Sequence, residues 1–257
     1  MESGKVDYDH GHNLHTVEGP ARVLSALVPR LPVRSVLDVG CGRGTWIKAS
    51  LACGIQEVMG VDGVPLSPTE LLFAPERFHV WDLRQPLALD RRFDLVLCLE
   101  VGEHLAAEHA RVLVGSLARH SDTVLFSAAC PGQTGQHHVN CQWPVYWQAL
   151  FNDAGYVCDD WLRWAIWSDA RIEPWYRQNL FLASRDVNRA GKERRLPSVV
   201  HAEMLRKFES AAKHQERHAT LSKIANGEMP LGWILTLPLQ NLWRKARRRW
   251  RLDSPDA

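Results

Sequence analysis

The chain has 257 residues, of which 46% are hydrophobic and 23% are charged, and its net charge is +2. These values are ordinary for a folded globular protein and exclude a chain that is disordered throughout or collagen-like. The longest apolar runs fall well short of the ~20 residues that a membrane-spanning helix needs.

The predicted elements alternate between strands and helices from the first helix onward. Strands are predicted at 35–39, 58–61, 78–80, 93–99, 123–127, 156–159 and 179–183. Helices are predicted at 19–30, 45–52, 107–119, 143–154 and 197–224. This alternation indicates βαβ units. The expected fold class is α/β: a doubly wound, Rossmann-like, seven-stranded and mostly parallel sheet with an N-terminal helix.

The first predicted strand runs into a glycine-rich turn, Asp38-Val39-Gly40-Cys41-Gly42-Arg43-Gly44. In doubly wound sheets, ligands bind beyond the carboxyl ends of the strands, and glycines let the backbone approach a ligand closely. The turn differs from the dinucleotide pattern G-x-G-x-x-G because Thr45 stands where the last glycine would be. An acidic residue ahead of the glycines would repel a pyrophosphate and suits a cationic ligand.

A second acid, Asp62, ends the second predicted strand, where a carboxylate can accept both ribose hydroxyls of a nucleoside. Asp82 and Leu83 follow the third strand and are placed to meet an adenine. This order of strand, glycine turn, helix, strand and acid resembles the nucleoside-binding side of class I S-adenosylmethionine-dependent methyltransferases over about residues 20–184. The alternative is a dinucleotide fold in which the glycines form only a tight turn.

The resemblance implies a binding site for S-adenosylmethionine. Asp38 and Gly40 would hold the methionine moiety, Asp62 the ribose, and Asp82 with Leu83 the adenine. The complete set of implied cofactor-binding residues is Asp38, Gly40, Cys41, Gly42, Gly44, Thr45, Trp46, Asp62, Gly63, Asp82, Leu83, Leu99 and Glu100.

Glu100, Glu103 and His104 follow the fourth strand, at a spacing that one helical turn would place on one face. This segment resembles ubiquinone-pathway O-methyltransferases and small-RNA 3′-end 2′-O-methyltransferases, in which the two glutamates and the histidine are associated with a divalent cation. The RNA enzymes have a later histidine, and His138 follows the fifth strand here. By this resemblance, these four residues would bind Mg²⁺ or Mn²⁺. Alternatively, Glu100 only flanks the cofactor and His104 caps or packs the turn.

Residues 131–147 and 173–179 resemble a bacterial subgroup of class I methyltransferases that is often encoded with glycan or secondary-metabolite genes. Six of the 11 tryptophans lie between positions 143 and 175. Indole side chains are common in the walls of pockets for sugars and flat organic molecules, although most of these tryptophans also fit a hydrophobic core. His138 lies in a glycine-rich loop, where catalytic groups concentrate.

The charge distribution predicts a boundary late in the chain. Residues 1–184 contain 15 Lys and Arg against 21 Asp and Glu, whereas residues 185–257 contain 16 against 8. We therefore predict a methyltransferase domain at 1–184 and a helical, basic extension at 185–257. Residues 229–251 are apolar and then basic. This pattern suits a segment that lies on an anionic membrane surface, binds nucleic acid or packs as a domain-swapped arm. It also suits a helix that covers the body with a solvated basic face.

The six cysteines form no Cys-x-x-Cys pair, and several lie in apolar stretches. This pattern predicts buried free thiols in a reducing compartment. The N-terminal residues contain no apolar core typical of a secretory signal. The expected location is the cytoplasm, with peripheral contact at the inner membrane face through the basic extension.

Together these features predict methyl transfer to a small-molecule or saccharide acceptor, preferably at oxygen. His138, His104 and Glu103 are the predicted catalytic residues: a histidine would remove the hydroxyl proton, or a metal would lower the hydroxyl pKa. An amine needs less help, so N-methylation stays open. The alternatives are an RNA 2′-O-methyltransferase and a non-catalytic, cofactor-binding scaffold subunit. Nucleic acid is not the expected partner, because the body is acidic and contains no recognisable RNA-binding module.

Overall fold

The computed structural model describes residues 8–12, 16–226 and 228. The strands are β1 Ser35–Val39, β2 Glu57–Asp62, β3 Phe78–Val80, β4 Leu95–Leu99, β5 Thr123–Ser127, β6 Tyr156–Asp159 and β7 Phe181–Arg185. The helices are α1 Glu18–Leu27, α2 Thr45–Ala52, α3 Ala110–His120, α4 Pro144–Asp153, α5 Trp161–Ile166, α6 Pro174–Asn179 and α7 Ala202–Ala225.

All seven strands form one sheet in the order β3-β2-β1-β4-β5-β7-β6. Strands β1 to β5 pair in parallel, whereas β7 is antiparallel to both of its neighbours. The strand order reverses between β1 and β4, and open α/β sheets bind their ligands at such a point. The predicted doubly wound, mostly parallel fold is confirmed.

Both faces of the sheet centre are covered by helices. Every residue of β1 and of β4 is buried. Leu37 and Phe126 belong to the core on one face, and Val36 and Leu24 to the core on the other. Burial on both faces explains why these strands are continuous apolar runs rather than alternating patterns.

Three strands differ from their predicted bounds. The second strand is one residue longer at each end, and the seventh ends two residues later than predicted. The fourth strand begins two residues later than expected, because the N–H of Phe93 donates to the carbonyl of His120 rather than to the sheet. The seventh strand begins at Phe181, because Asn179 is the last residue of α6.

The helix boundaries also need correction. The first helix ends at Leu27, and a tighter 3₁₀ turn containing proline covers Val28–Arg30. The helix predicted at 107–119 is a 3₁₀ turn, Ala107–His109, followed by α3. The two short helices α5 and α6 were not expected, because each has only 6 residues, too few for a helical period to show.

The chain divides into two compact units, Met1–Phe208 and Glu209–Ala257, and the boundary at 184/185 stays a prediction. Beyond β7, Glu193 still accepts hydrogen bonds from Gln148 and Asn152 in the first unit. The apolar and basic segment at 229–251 lies outside the described residues. Within the described part of the chain, no helix is both long and apolar enough to cross a membrane.

All six cysteines are free thiols, as predicted. Cys41, Cys98, Cys130 and Cys158 are also buried. The other two are only half-buried, which corrects the prediction of burial there: Cys53 caps the end of α2, and Cys141 lies in the loop after β5.

Candidate active site

A cavity of about 380 Å³ opens where β1 to β5 end, a size typical of sites for small ligands. Eleven of the predicted cofactor-binding residues line it: Gly40, Cys41, Gly42, Thr45, Trp46, Asp62, Gly63, Asp82, Leu83, Leu99 and Glu100. Asp38 and Gly44 do not line it. Gly44 is instead the residue that precedes α2, with a φ of 87°.

The glycine turn after β1 forms one wall of the cavity. Gly40, Gly42 and Gly44 all have positive φ, between 50° and 87°, a conformation that other residues adopt at a cost. A Cβ on Gly40 would lie 2.3 Å from a methyl carbon of Val101. The turn therefore presents bare backbone to the cavity, and a ligand can approach it closely.

Asp62 lies at the end of β2 with 5% of its surface exposed. Its Oδ2 accepts a hydrogen bond from the N–H of Gly42, and its Oδ1 accepts one from the N–H of Val64, each at 2.8 Å. His10 Nε2 lies 3.3 Å from Oδ1. Because a carboxylate only accepts, Nε2 carries the proton of this imidazole.

Asp38 lies behind the glycine turn, and only 2% of its surface is exposed. Its Oδ2 has no hydrogen-bond partner among the described residues. Burial, and secondarily the charge of Asp62, raise the pKa of Asp38 to about 8. A positively charged group bound nearby would favour the ionised carboxylate, so this acid fits a cationic ligand.

Asp82 and Leu83 line the cavity beyond β3. The two carboxylate oxygens of Asp82 accept hydrogen bonds from the guanidinium of Arg84 at 2.8 and 2.9 Å. This contact lowers the pKa of Asp82. Asp82 is therefore an ionised acceptor with a fixed orientation at the rim.

The helical turn expected over Glu100–His104 is wrong. Glu100 has a φ of 56°, in the left-handed region, and only Gly102–His104 forms a 3₁₀ turn. The N–H of Glu100 donates to the carbonyl of Ser127 at 2.9 Å, which holds the strand end in this conformation. Its carboxylate accepts hydrogen bonds from Gln133 Nε2 at 2.6 Å and from Asn179 Nδ2 at 3.2 Å.

Glu103, His104 and His138 lie together, although Glu100 does not belong to this group. One ligand atom from each of the three lies within 4.8 Å of the others, and the two imidazole rings are 5.1 Å apart. The backbone joins the loops as well, because the N–H of Val139 donates to the carbonyl of Glu103 at 2.9 Å. Neighbouring parallel strands bring these two loops to the same edge of the sheet.

The electrostatics of this group are unusual. Glu103 is fully buried and neither carboxyl oxygen has a donor among the described residues. Burial and the nearby Glu100 carboxyl raise the pKa of Glu103 well above its usual range. Burial and the neighbouring His138 lower the pKa of His104 to about 4, so this imidazole is neutral at pH 7. Such perturbed groups in a cleft are typical of catalytic sites.

The aromatic residues divide between core and cavity. Trp147 is 1% exposed and belongs to the core; a Cβ on Gly102 would lie 2.6 Å from its ring, which explains the glycine at that position. Trp175 and Tyr176 on α6 line the cavity. The hydroxyl of Tyr176 accepts a hydrogen bond from Trp46 Nε1 at 3.2 Å.

Sequence reasoning missed two cavity residues near the N-terminus, Tyr8 and His10. The Tyr8 ring packs edge-on against His10 and His104, at centroid distances of 5.0 and 4.8 Å. The available signal was the concentration of aromatic and imidazole groups in Tyr8-Asp9-His10-Gly11-His12, ahead of the first helix.

Comparisons with known proteins agree with this geometry. A protein family described as a methyltransferase domain matches residues 12–170, more than half of the chain. The chain belongs to this methyltransferase family. It is a class I S-adenosylmethionine-dependent methyltransferase, as the motifs indicate. No curated protein matches the sequence.

Three solved structures are among those to which the chain is similar. The sugar N-methyltransferase KedS8 from Streptoalloteichus has a TM-score of 0.50 at 20% identity, covering 69% of this chain and 90% of that chain. The amino pentose methyltransferase CalS10 from Micromonospora echinaspora, with S-adenosylmethionine bound, has a TM-score of 0.47 at 19% identity. The match covers 66% of this chain and 92% of that chain. Magnesium protoporphyrin IX methyltransferase from Synechocystis, with bound S-adenosylhomocysteine, has a TM-score of 0.46 at 22% identity. The match covers 66% of this chain and 82% of that chain.

Proposed function

We propose that this methyltransferase methylates a hydroxyl oxygen of an uncharged small molecule or saccharide, with His138 as the general base. The observation that supports this most directly is the pair of imidazoles, His104 and His138, beside the buried Glu103 in the wall after β4 and β5. A hydroxyl acceptor loses its proton during methyl transfer, and this wall offers a group that takes it.

The wall after β1, β2 and β3 would hold the cofactor. When bound, S-adenosylmethionine supplies a methyl group on a positively charged sulfur. Asp62 would accept hydrogen bonds from the ribose, and Asp82 with Leu83 would contact the adenine. Asp38 Oδ2, which has no hydrogen-bond partner among the described residues, fits the positive charge of the methionine end, although Asp38 lies behind the residues that line the cavity.

His138 is oriented for proton transfer. Its Nδ1 lies 2.9 Å from the carbonyl oxygen of Gln133. A carbonyl only accepts, so Nδ1 carries the proton and Nε2 keeps its lone pair. With S-adenosylmethionine bound, Nε2 would take the proton that the acceptor hydroxyl loses when its oxygen is methylated. The walls of the cavity would align the acceptor with the cofactor.

The charges around the cavity favour an acceptor without negative charge. Among the described residues that line the cavity, Arg43 is the single Lys or Arg. Its guanidinium nitrogen Nη2 lies 3.7 Å from Glu70 Oε1, so a carboxylate already pairs with this positive charge. An RNA backbone or a carboxylate would therefore find little positive charge, whereas nucleic-acid binding depends on such contacts. The aromatic face of Trp175 suits a sugar or another ring.

A divalent metal at Glu103, His104 and His138 is the second candidate. Neither carboxyl oxygen of Glu103 has a donor within the described part of the chain, which favours a metal because a cation would satisfy a buried carboxylate. Oxygen and imidazole ligands suit Mg²⁺ or Mn²⁺. The residues present thus fit such an ion, which would lower the pKa of a bound hydroxyl.

The test combines binding and product analysis. We expect calorimetry to show binding of S-adenosylhomocysteine, and mass spectrometry to show an O-methyl product within a panel of glycosides, amino sugars and 3′-end RNA fragments. A product methylated at nitrogen would overturn the choice of atom, and a methylated RNA the choice of acceptor. Binding of NADH without S-adenosylhomocysteine would overturn the function itself. Loss of turnover with chelator, restored by Mn²⁺, would favour the metal.

The proposal places the protein in the cytoplasm, where its free thiols would remain reduced. The proposal also includes a peripheral contact: the basic extension at 185–257 binds the inner face of the membrane. Sedimentation with anionic vesicles tests that part independently of the catalytic activity.

A further inference from the structure

Residues Tyr8–His10, which we call the strap, contact both halves of the cavity. On the cofactor side, His10 is 8% exposed and lies against the glycine turn: its ring is 3.1 Å from the position that a Cβ on Gly42 would occupy. His10 Nε2 donates to Asp62 Oδ1 at 3.3 Å. The strap is therefore attached to the acid that, under the proposed function, binds the ribose.

On the acceptor side, the strap is attached to the loops after β4 and β5. The N–H of Asp9 donates to Gln136 Oε1 at 3.2 Å, and Gln136 Nε2 donates to the carbonyl of Asp9 at 3.0 Å. The ring of Tyr8 lies 4.8 Å from that of His104. These contacts place Tyr8 where an acceptor would approach the imidazoles.

The hydrogen-bonding capacity of Asp62 creates a conflict between the strap and the cofactor. A carboxylate offers about four acceptor positions. Gly42, Val64 and His10 each donate to Asp62, so one position is left, on Oδ2. A ribose brings two hydroxyls to such an acid. The N–H groups of Gly42 and Val64 are fixed by the turns that contain them, and His10 is the donor that can leave.

We infer that the cofactor ribose displaces His10 from Asp62 and thereby releases the strap from the acceptor half of the cavity. This inference rests on the proposed binding of the ribose at Asp62. Because the same three residues contact Asp62, Gln136 and His104, the release of His10 removes one attachment of the strap and weakens the packing of Tyr8 against His104. The cofactor then binds first and opens the acceptor subsite. By linkage, whatever loosens the strap also strengthens cofactor binding.

The first test is the affinity for S-adenosylhomocysteine, measured by calorimetry on the full chain. His10→Ala removes the competing donor, so we expect the Kd to fall about two- to tenfold, the scale of one net hydrogen bond. The matched control is His79→Ala, an exposed histidine on β3, whose Kd should equal that of the wild type. An unchanged or higher Kd for His10→Ala, with an unchanged melting temperature, would overturn the inference.

The second test follows the strap itself. S-adenosylhomocysteine should increase hydrogen exchange in the wild-type peptide that contains Tyr8–His10, because the Asp9 N–H loses its bond to Gln136. Gln136→Ala should raise this exchange without ligand and should also tighten ligand binding. Slower exchange on binding would show that the strap closes over the ligand and would overturn the inference. If the wild type binds no S-adenosylhomocysteine at all, the proposed function fails instead.

Discussion

The two halves of the cavity are built differently. The cofactor half, after β1 to β3, uses residues between positions 38 and 83, and its lining carboxylates Asp62 and Asp82 already accept hydrogen bonds. The acceptor half, after β4 and β5, combines distant parts of the chain. There, Glu103 has no donor within the described residues, and His104 has a depressed pKa.

This difference suits the cofactor half to binding a ligand and the acceptor half to proton transfer. Carboxylates held in a fixed orientation by backbone N–H groups or a guanidinium do not have to be ordered when a ligand binds, which lowers the entropic cost of binding. Buried groups without partners store unfavourable energy and have shifted pKa values, which is useful for proton transfer. We therefore expect substitutions in the acceptor half to change turnover, and substitutions in the cofactor half to change affinity for the cofactor.

The largest expected effect is in the acceptor half. His138→Ala should lower turnover on the order of a hundredfold or more, the scale for loss of a general base. The Kd for S-adenosylhomocysteine should stay unchanged, because His138 contacts Gln133 and His104 rather than the glycine turn. Steady-state kinetics and calorimetry on the same preparation measure the two effects.

His137→Ala is the matched control for this experiment. His137 is the preceding residue, it is exposed, and its backbone carbonyl oxygen lies 3.4 Å from His104 Nδ1, a contact that the substitution keeps. Turnover close to that of the wild type is expected. If His138→Ala keeps full turnover at every pH with an unchanged fold, His138 has only a structural role and the division between the halves fails.

The next effect belongs to the cofactor half. Asp62→Ala should raise the Kd for S-adenosylhomocysteine more than tenfold, because the ribose loses its acceptor and the N–H of Gly42 loses its partner in a buried site. Asp62→Asn keeps one acceptor oxygen and should have an intermediate Kd. An affinity within twofold of the wild type for both variants would move the ribose contact to another residue.

The free energy of unfolding should depend on pH through the ionisation of Asp38. Its pKa is about 8 in the folded chain and about 3.9 in an unfolded one. Between these values the folded state binds a proton that the unfolded state lacks, so stability falls as pH rises from about 4 to about 8. Asp38→Asn cannot ionise and should lose this slope.

Thermal melting of both proteins without ligand checks this expectation. Relative to the variant, the wild type should lose on the order of 10 °C in melting temperature between pH 5 and pH 8. The variant provides the control for other titrating groups such as Glu103, because these are present in both proteins. If the melting temperatures of the wild type and of Asp38→Asn change with pH in the same way across this range, Asp38 is ionised in the folded state.

The same division explains what could be predicted from the sequence. The glycine turn and Asp62 follow directly from strand ends, because residues at the carboxyl ends of adjacent parallel strands meet at one edge. The position of these residues at the sheet edge was therefore predicted from spacing, whereas their roles toward the cofactor were predicted from the resemblance to class I methyltransferases. The proximity of His104 and His138 follows from the pairing of β4 with β5 in the same way.

Other features depend on contacts that spacing does not encode. Glu-x-x-Glu-His fits a helical turn, yet a backbone bond to Ser127 holds Glu100 in the left-handed region. His10 reaches Asp62 across 52 positions, and Asp9 reaches Gln136 across 127. Trp175 enters the cavity from α6, a helix too short to show a periodic pattern.

The smallest expected effect comes from shortening the chain. Every residue that lines the cavity precedes position 177. Deletion of residues 228–257 should therefore leave the Kd for S-adenosylhomocysteine within about twofold. It should also leave turnover intact, because it spares the contacts of Glu203 with Arg177 at 2.8 Å and of Lys207 with Trp175 at 4.7 Å.

A longer deletion, of residues 200–257, separates the two halves of the cavity. It removes the partners of Arg177 and Trp175, and both of these residues lie on α6, which supplies the aromatic wall of the acceptor half. We expect the KM for the acceptor to rise while the Kd for S-adenosylhomocysteine changes little, since none of the deleted residues contacts the glycine turn or Asp62 within the described part of the chain. If the shorter deletion, correctly folded, already abolishes cofactor binding, residues 228–257 belong to the cofactor site, and the two halves cannot be assigned to separate stretches of the chain.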